Sequence, residues 1–181
     1  MRICDKKLVG EGHWLSLHEL EYEDRKGVRR TWECASRKKC KGAVMIIASL
    51  IPSGKLILIR QFRPPTGKVV VEFPAGLMDG DEAPEVTAIR ELREETGYIG
   101  KVISVTPQGY SSPGMTGESV NIVKMEVIEA EQKELKTDFD EAEDIETVLV
   151  APSELAEFIR KEDAAGNGID IKVAAYSAAL S

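Results

Sequence analysis

Three glutamates, Glu91, Glu94 and Glu95, fall within five residues and carry the strongest chemical signal in the chain. On an α-helix the spacing i, i+3, i+4 puts them within roughly a hundred degrees of each other, on one flank. Like charges so placed cost about 0.2–0.5 kcal/mol per pair, and a cation among them relieves the repulsion. Carboxylate oxygens are hard ligands that select magnesium or manganese. Such a cluster suits hydrolysis of a substrate carrying phosphate. Spacing alone leaves a solvated acidic face as the alternative, in a chain where 30% of residues are charged.

The element that must position these acids reads as a helix over residues 84–96. Pro84 suits a first turn, Asp81 precedes it as a candidate N-cap, and Gly97 follows as a stop. Val86, Ile89 and Leu92, with Ala88 and Thr96, form a stripe expected to pack on a core, with the acids on the opposite flank.

The stretch 76–98, GLMDGDEAPEVTAIRELREETGY, has a longer pattern: Gly76, five residues, Glu82, seven residues, Arg90-Glu91-Leu92, one residue, Glu94-Glu95, one residue, Gly97-Tyr98. This resembles the Nudix box, the signature of hydrolases acting on nucleoside diphosphates linked to another moiety. The resemblance implies an α/β fold, an α/β/α sandwich with a mixed β-sheet and a loop-helix-loop. It also implies Mg²⁺-assisted cleavage of a pyrophosphate, with Mn²⁺ as the alternative ion. Carried over by position, Glu91 and Glu95 are metal ligands, and Glu94 is a further or bridging one. Glu82 and Arg90 are the orienting pair, and the main-chain carbonyl of Ala75 completes the metal shell.

A chain of 181 residues, 43% hydrophobic, fits one medium domain with or without a small appendage. The 24 basic against 31 acidic residues, a net charge of −7, argue against a nucleic-acid surface. An anionic substrate must then be met by local cations or bound metal. Cys4, Cys34 and Cys40 are odd in number and form no metal-binding spacing, so they read as reduced thiols. No apolar run approaches the roughly 20 residues of a membrane helix, and the first residues, MRICDKK, lack an apolar signal core. The expectation is a cytoplasmic protein without membrane partners.

Residues 1–40 are polar, with strand-like stretches at 13–22 and 28–34 around a charged turn, and read as a hairpin appendage to a hydrolase domain over 41–181. Strands are expected at 43–51, 55–62, 68–73, 101–107, 119–128 and 145–150, and helices at 152–161 and 169–180. Neither GxxxxGK[ST] nor GxGxxG occurs, which removes support for a P-loop kinase or a dinucleotide oxidoreductase.

Pro113 stands sixteen residues beyond Gly97, in SSPGMTGES, and RTWE at 30–33, IRQFRPP at 59–65, EFPAGL at 72–77 and AAYSAAL at 174–180 accompany it. Together they resemble the ADP-ribose and ADP-sugar pyrophosphatase branch of the Nudix family, over about residues 11–180. The resemblance implies hydrolysis of ADP-ribose to AMP and ribose 5-phosphate. It implies that Trp14 and Trp32 sandwich the adenine from two subunits, in a homodimer whose N-terminal strands exchange; packing residues are the plainer reading of both indoles. Arg37 and Arg63 fit as guanidinium partners of phosphate, with Pro113 and Gly114 in the substrate loop. Arg60 reads as a solvated strand residue. The general base or a further metal ligand is expected on the acidic loop 138–146, at Glu143 with Glu141 as alternate. A GDP-mannose or other nucleotide-sugar pyrophosphatase and a non-catalytic ADP-ribose sensor are the competing readings.

Overall fold

The computed structural model describes residues 1–38, 40–139 and 144–180. The apolar run that reads as a buried strand becomes β4 (Ala43–Ile51), on which the rest is assembled. Its residues alternate between two cores: Val44, Ile46, Ala48 and Leu50 face one, Met45 and Ile47 the other. A strand with helices on both faces must be apolar throughout, because every second side chain points to the opposite layer.

β4 runs parallel to β10 (Ser119–Ile128), from Val120 opposite Ala43 to Ile128 opposite Ile51. On its other side β4 pairs with β5 (Leu56–Arg63) only at Ser49 and Leu56. Beyond that point the two strands diverge. β5 takes β6 (Lys68–Glu72) and β11 (Ile145–Val150) as antiparallel neighbours, while Ala43–Met45 of β4 pair with β7 (Ala75–Leu77). Phe73 and Pro74 carry the chain from β6 to β7, and the Pro74 carbonyl accepts from the Ile46 N–H at 2.8 Å. This splay creates the cleft described below. Strands β8 (Lys101–Val105), β9 (Gly109–Tyr110) and β12 (Gly168–Ile169) complete a nine-stranded mixed sheet.

Helix α1 (Pro84–Thr96) covers one face through Ala88 and Leu92. Helices α2 (Leu155–Ala164) and α3 (Ile171–Ala179) cover the other, where Leu155, Val173 and Phe73 meet Met45 and Leu58. The expected α/β/α sandwich is present. Helix α1 has the bounds read from sequence, and Gly97 closes it at φ 75°, with its N–H on the Arg93 carbonyl at 2.8 Å.

Three expectations about side chains are corrected. Asp81 is not the cap: Ala83 holds that position with no side-chain bond, and Asp81 pairs with Lys41. Val86 and Ile89 are 54% and 43% exposed, while Thr87, Ala88, Leu92, Glu95 and Thr96 are buried. Ala88, Leu92 and Thr96 of the expected stripe do face inward, joined by Glu95, while Val86 and Ile89 turn away. Arg60 is not solvated; its guanidinium binds Glu162 of α2, and its Nη1 donates to Glu146 Oε1 at 2.9 Å.

The appendage holds one strand more than its sequence suggests. β1 (Arg2–Glu11), β2 (Leu15–Glu23) and β3 (Arg29–Arg37) form a separate antiparallel sheet. Charged residues Asp5, Lys6 and Lys7 hide the strand character of β1. No residue of this sheet is buried, and Ile3, Leu8, Val9, Leu15 and Leu17 lie exposed on it.

The Arg60–Glu162 pair pins α2 to the sheet, and Arg60 holds the Glu162 carboxyl below the usual carboxylate range. A depressed folded pKa contributes stability that is whole above the unfolded value of about 4.3 and is lost as pH falls through the lower folded value. Glu162→Ala should therefore cost about 3 kcal/mol at pH 7. In urea denaturation, the gap from the unsubstituted protein should shrink as pH drops below about 4.

Candidate active site

The diverging strands open onto a cleft of about 500 Å³, within the range of small-molecule sites. Its floor is the junction of β7 and α1. A Cβ on Gly76 would stand 1.9 Å from Cδ of Glu91, so the Glu91 carboxylate rests directly on the Gly76 backbone. Any side chain at this position would require the Glu91 carboxylate to move. Glu95, 3% exposed, accepts from the Ala75 N–H through Oε2 at 3.2 Å. These two contacts, with Ala88 and Leu92 in the core, accompany the inward turn of Glu91 and Glu95.

Arg90 sits at the centre of the acids. Its Nη1 donates to Glu91 Oε1 at 2.8 Å and Glu94 Oε2 at 3.0 Å. Its Nη2 donates to Glu82 Oε2 and to the Leu77 carbonyl, each at 3.2 Å. Burial opposes the guanidinium charge, but Glu91, Glu82 and Glu94 outweigh it and raise its pKa. In return, Arg90 and the Thr87 hydroxyl hold the Glu82 carboxyl below its usual range. Arg90 thus hydrogen-bonds three carboxylates, with Asp79 Oδ2 a fourth at 3.8 Å, where the sequence suggested a pair with Glu82.

The two rims carry the expected cations, each already matched to an acid. Arg37 Nε donates to Glu118 Oε1 at 3.0 Å. Arg63 reaches Glu72 through Nε at 2.7 Å and Nη2 at 2.8 Å, which keeps it charged against its partial burial. Trp32, 52% exposed, donates from Nε1 to the Gly114 carbonyl at 3.0 Å, next to exposed Pro113. Trp14 is 79% exposed. Its carbonyl accepts from Lys38, six residues along the chain from Trp32, so the two tryptophans are separated by about 20 Å of strand. Within one chain, that backbone spacing far exceeds the thickness of a single sandwiched ring. Glu141 and Glu143 lie outside the described residues.

Sequence reasoning did not find Lys172, which lines the cleft from the start of α3. No local pattern brings residue 172 near residue 76; that follows from α3 packing on β6. Asp79 and Ser111 also line the cleft without having been singled out.

The NUDIX domain family model matches residues 41–168. The chain belongs to the Nudix family. Among its relatives is the ADP-sugar pyrophosphatase of Mus musculus, 32% identical over 98% of this chain and 86% of that protein. The ADP-ribose pyrophosphatase of Saccharomyces cerevisiae is 35% identical over 92% of this chain and 77% of its own length. A crystal structure of an ADP compounds hydrolase superposes with a TM-score of 0.70, at 24% identity, over 88% of this chain and 82% of that one; it shares the Nudix sandwich.

Nudix hydrolases generally use divalent metal ions. Among the described residues no three acidic, histidine or cysteine side chains converge as a ready cage. The donor set nevertheless fits such an ion. Glu82, Glu91 and Glu94 gather on Arg90, and Glu95, which also acts on the Arg63 charge, lies on the same helix beside the Ala75 backbone. All the donors are oxygens, as a hard cation requires. Gly76→Ala should push Glu91 off its shelf and weaken Mn²⁺ binding at least about tenfold. Titration by electron paramagnetic resonance reads this loss, with circular dichroism checking that α1 is intact.

Proposed function

We propose that this Nudix chain hydrolyses the diphosphate linkage of ADP-ribose and related ADP-sugars, giving AMP and a sugar phosphate. The observation that carries the reading is the cleft floor, where Glu91 rests on Gly76 and Glu95 on Ala75 between rims bearing Arg37 and Arg63. The ADP-sugar and ADP-ribose pyrophosphatases among its relatives, matched along most of the chain, support the substrate class.

Glu91, Glu95 and the Ala75 carbonyl would hold Mg²⁺ or Mn²⁺, with Glu94 and Glu143 as further ligands. When bound, such an ion neutralises phosphate charge and lowers the pKa of water. Arg37 and Arg63 present N–H donors to the diphosphate oxygens, a role suited to guanidinium forks. Glu82 holds Arg90, and Arg90 holds Glu91 and Glu94 in place. Glu143, or Glu141 as alternate, takes the proton of the attacking water.

Trp14 and Trp32 stack on the two faces of the adenine, one from each protomer of a homodimer. The exposed apolar residues of the β1–β3 sheet support that assembly, because a three-stranded sheet needs a covered face. Residues 1–40 are then the dimerisation and adenine-binding appendage, and 41–181 the hydrolase domain. Exchange of the N-terminal strands supplies each site with its partner's indole. Among the described residues no helix is long and apolar enough to cross a membrane, and the net charge of −7 disfavours nucleic acid. A cytoplasmic location fits both.

With Mg²⁺ and ADP-ribose, ADP-glucose, GDP-mannose or NADH, chromatography should show AMP and ribose 5-phosphate from ADP-ribose. Glu95→Gln should lower kcat at least about 100-fold; retained turnover would sink the metal assignment. Analytical ultracentrifugation should give a dimer, and a monomer at micromolar concentration would overturn the shared adenine site.

A further inference from the structure

Lys172 is a cleft cation that the proposed reaction has not yet used, and it is firmly placed. Asp170 anchors the start of α3 to β6, its N–H donating to the Val71 carbonyl at 3.0 Å. Val173 lies in the core, and Tyr176 meets Phe73 edge-on, with ring centroids 5.5 Å apart at 83°. Asp170 Oδ1 accepts from the Lys172 N–H at 2.7 Å, and its Oδ2 accepts from Lys172 Nζ at 2.6 Å. An ammonium has three donors, so those not used by Asp170 are available toward the cleft.

β4 divides the two rims. On the β10 side stand Glu118 and Arg37, on the same two chain segments as Gly114 and Trp32. On the β5 and β6 side stand Arg63, Glu72 and Lys172. If the proposed hydrolase reading holds, the nucleoside occupies the tryptophan side and the diphosphate lies over the Gly76–Glu91 floor. The group beyond the diphosphate then meets the Lys172 rim. The charges there cancel, Arg63 against Glu72 and Lys172 against Asp170. A neutral polyhydroxylated group finds N–H donors and carboxylate acceptors fixed in pairs.

We infer that Lys172, held by Asp170, forms with Glu72 a subsite for the neutral sugar distal to the diphosphate, beside the Arg63 that meets the diphosphate. This makes the enzyme a reader of the sugar as well as of the nucleoside. Lys172 is a positioning residue for substrate and takes no part in proton transfer.

The test compares Lys172→Met and Lys172→Arg with the unsubstituted protein in Mg²⁺, reading KM and kcat for ADP-ribose and the inhibition constant of ADP, which lacks the distal sugar. Lys172→Met should raise KM about tenfold, the loss of one charged hydrogen bond. Its kcat and the ADP inhibition constant should stay within about twofold, the pattern of lost uniform binding. Lys172→Arg, which keeps the charge and folds with the same helix start, should restore most of the KM. A parallel rise in the ADP constant would overturn the inference, because Lys172 would then read phosphate. A KM indifferent to both substitutions overturns the sugar subsite alone, whereas absence of turnover in the unsubstituted protein defeats the hydrolase reading and the subsite with it.

Discussion

Arg90 stands among Glu82, Glu91 and Glu94, and the cleft floor depends on that arrangement. Without it, adjacent carboxylates on a single helix face would repel, and a buried carboxylate lacking partners carries a desolvation cost that folding rarely tolerates. The same guanidinium reaches the Leu77 carbonyl, so it ties the helix to the strand beneath as well as the acids to each other. Gly76 makes the approach possible by leaving room where any side chain would strike Glu91. One cation and one missing Cβ therefore set the geometry of the floor.

The cleft itself comes from the sheet. β4 and β5 leave a shared turn and then choose different partners. The chain crossing between them, Phe73 and Pro74, is held by Ile46 on one side and by the ring of Tyr176 on the other. This crossing brings Glu72, Ala75 and Gly76 to the cleft in sequence, and it brings the C-terminal helix to the same place. The ion pair of Arg60 with Glu162 does similar work for α2, away from the chemistry.

The rims show a consistent electrostatic habit. Arg37, Arg63 and Lys172 each face a carboxylate, in Glu118, Glu72 and Asp170. Pre-paired cations stay charged and oriented, and they lose less side-chain freedom on meeting a ligand than free ones do. In a chain of net charge −7, this local pairing lets an anionic substrate approach without a broad basic surface.

Much of the floor was legible in the sequence because its parts are local: helix α1, its stop at Gly97, and the grouping of Glu91, Glu94, Glu95 and Arg90 follow from spacing on one helix. The strands of the sandwich were legible for the same reason, through runs of apolar residues. The strand β1 was not, since its charged residues leave neither an apolar run nor an alternation, and only pairing with β2 makes it a strand. Nor was the inward turn of Glu91 and Glu95. The sequence by itself determined which residues share a helix face; only the tertiary structure decided which face turns inward, because that depends on Gly76 lying beneath Glu91. Lys172 illustrates the same limit: its place at the cleft follows from the contacts of Asp170 with Val71 and of Tyr176 with Phe73, across about a hundred residues of chain. Local spacing is written in the order of residues, but contacts between distant segments are chosen by packing, and packing sets the rims of this site.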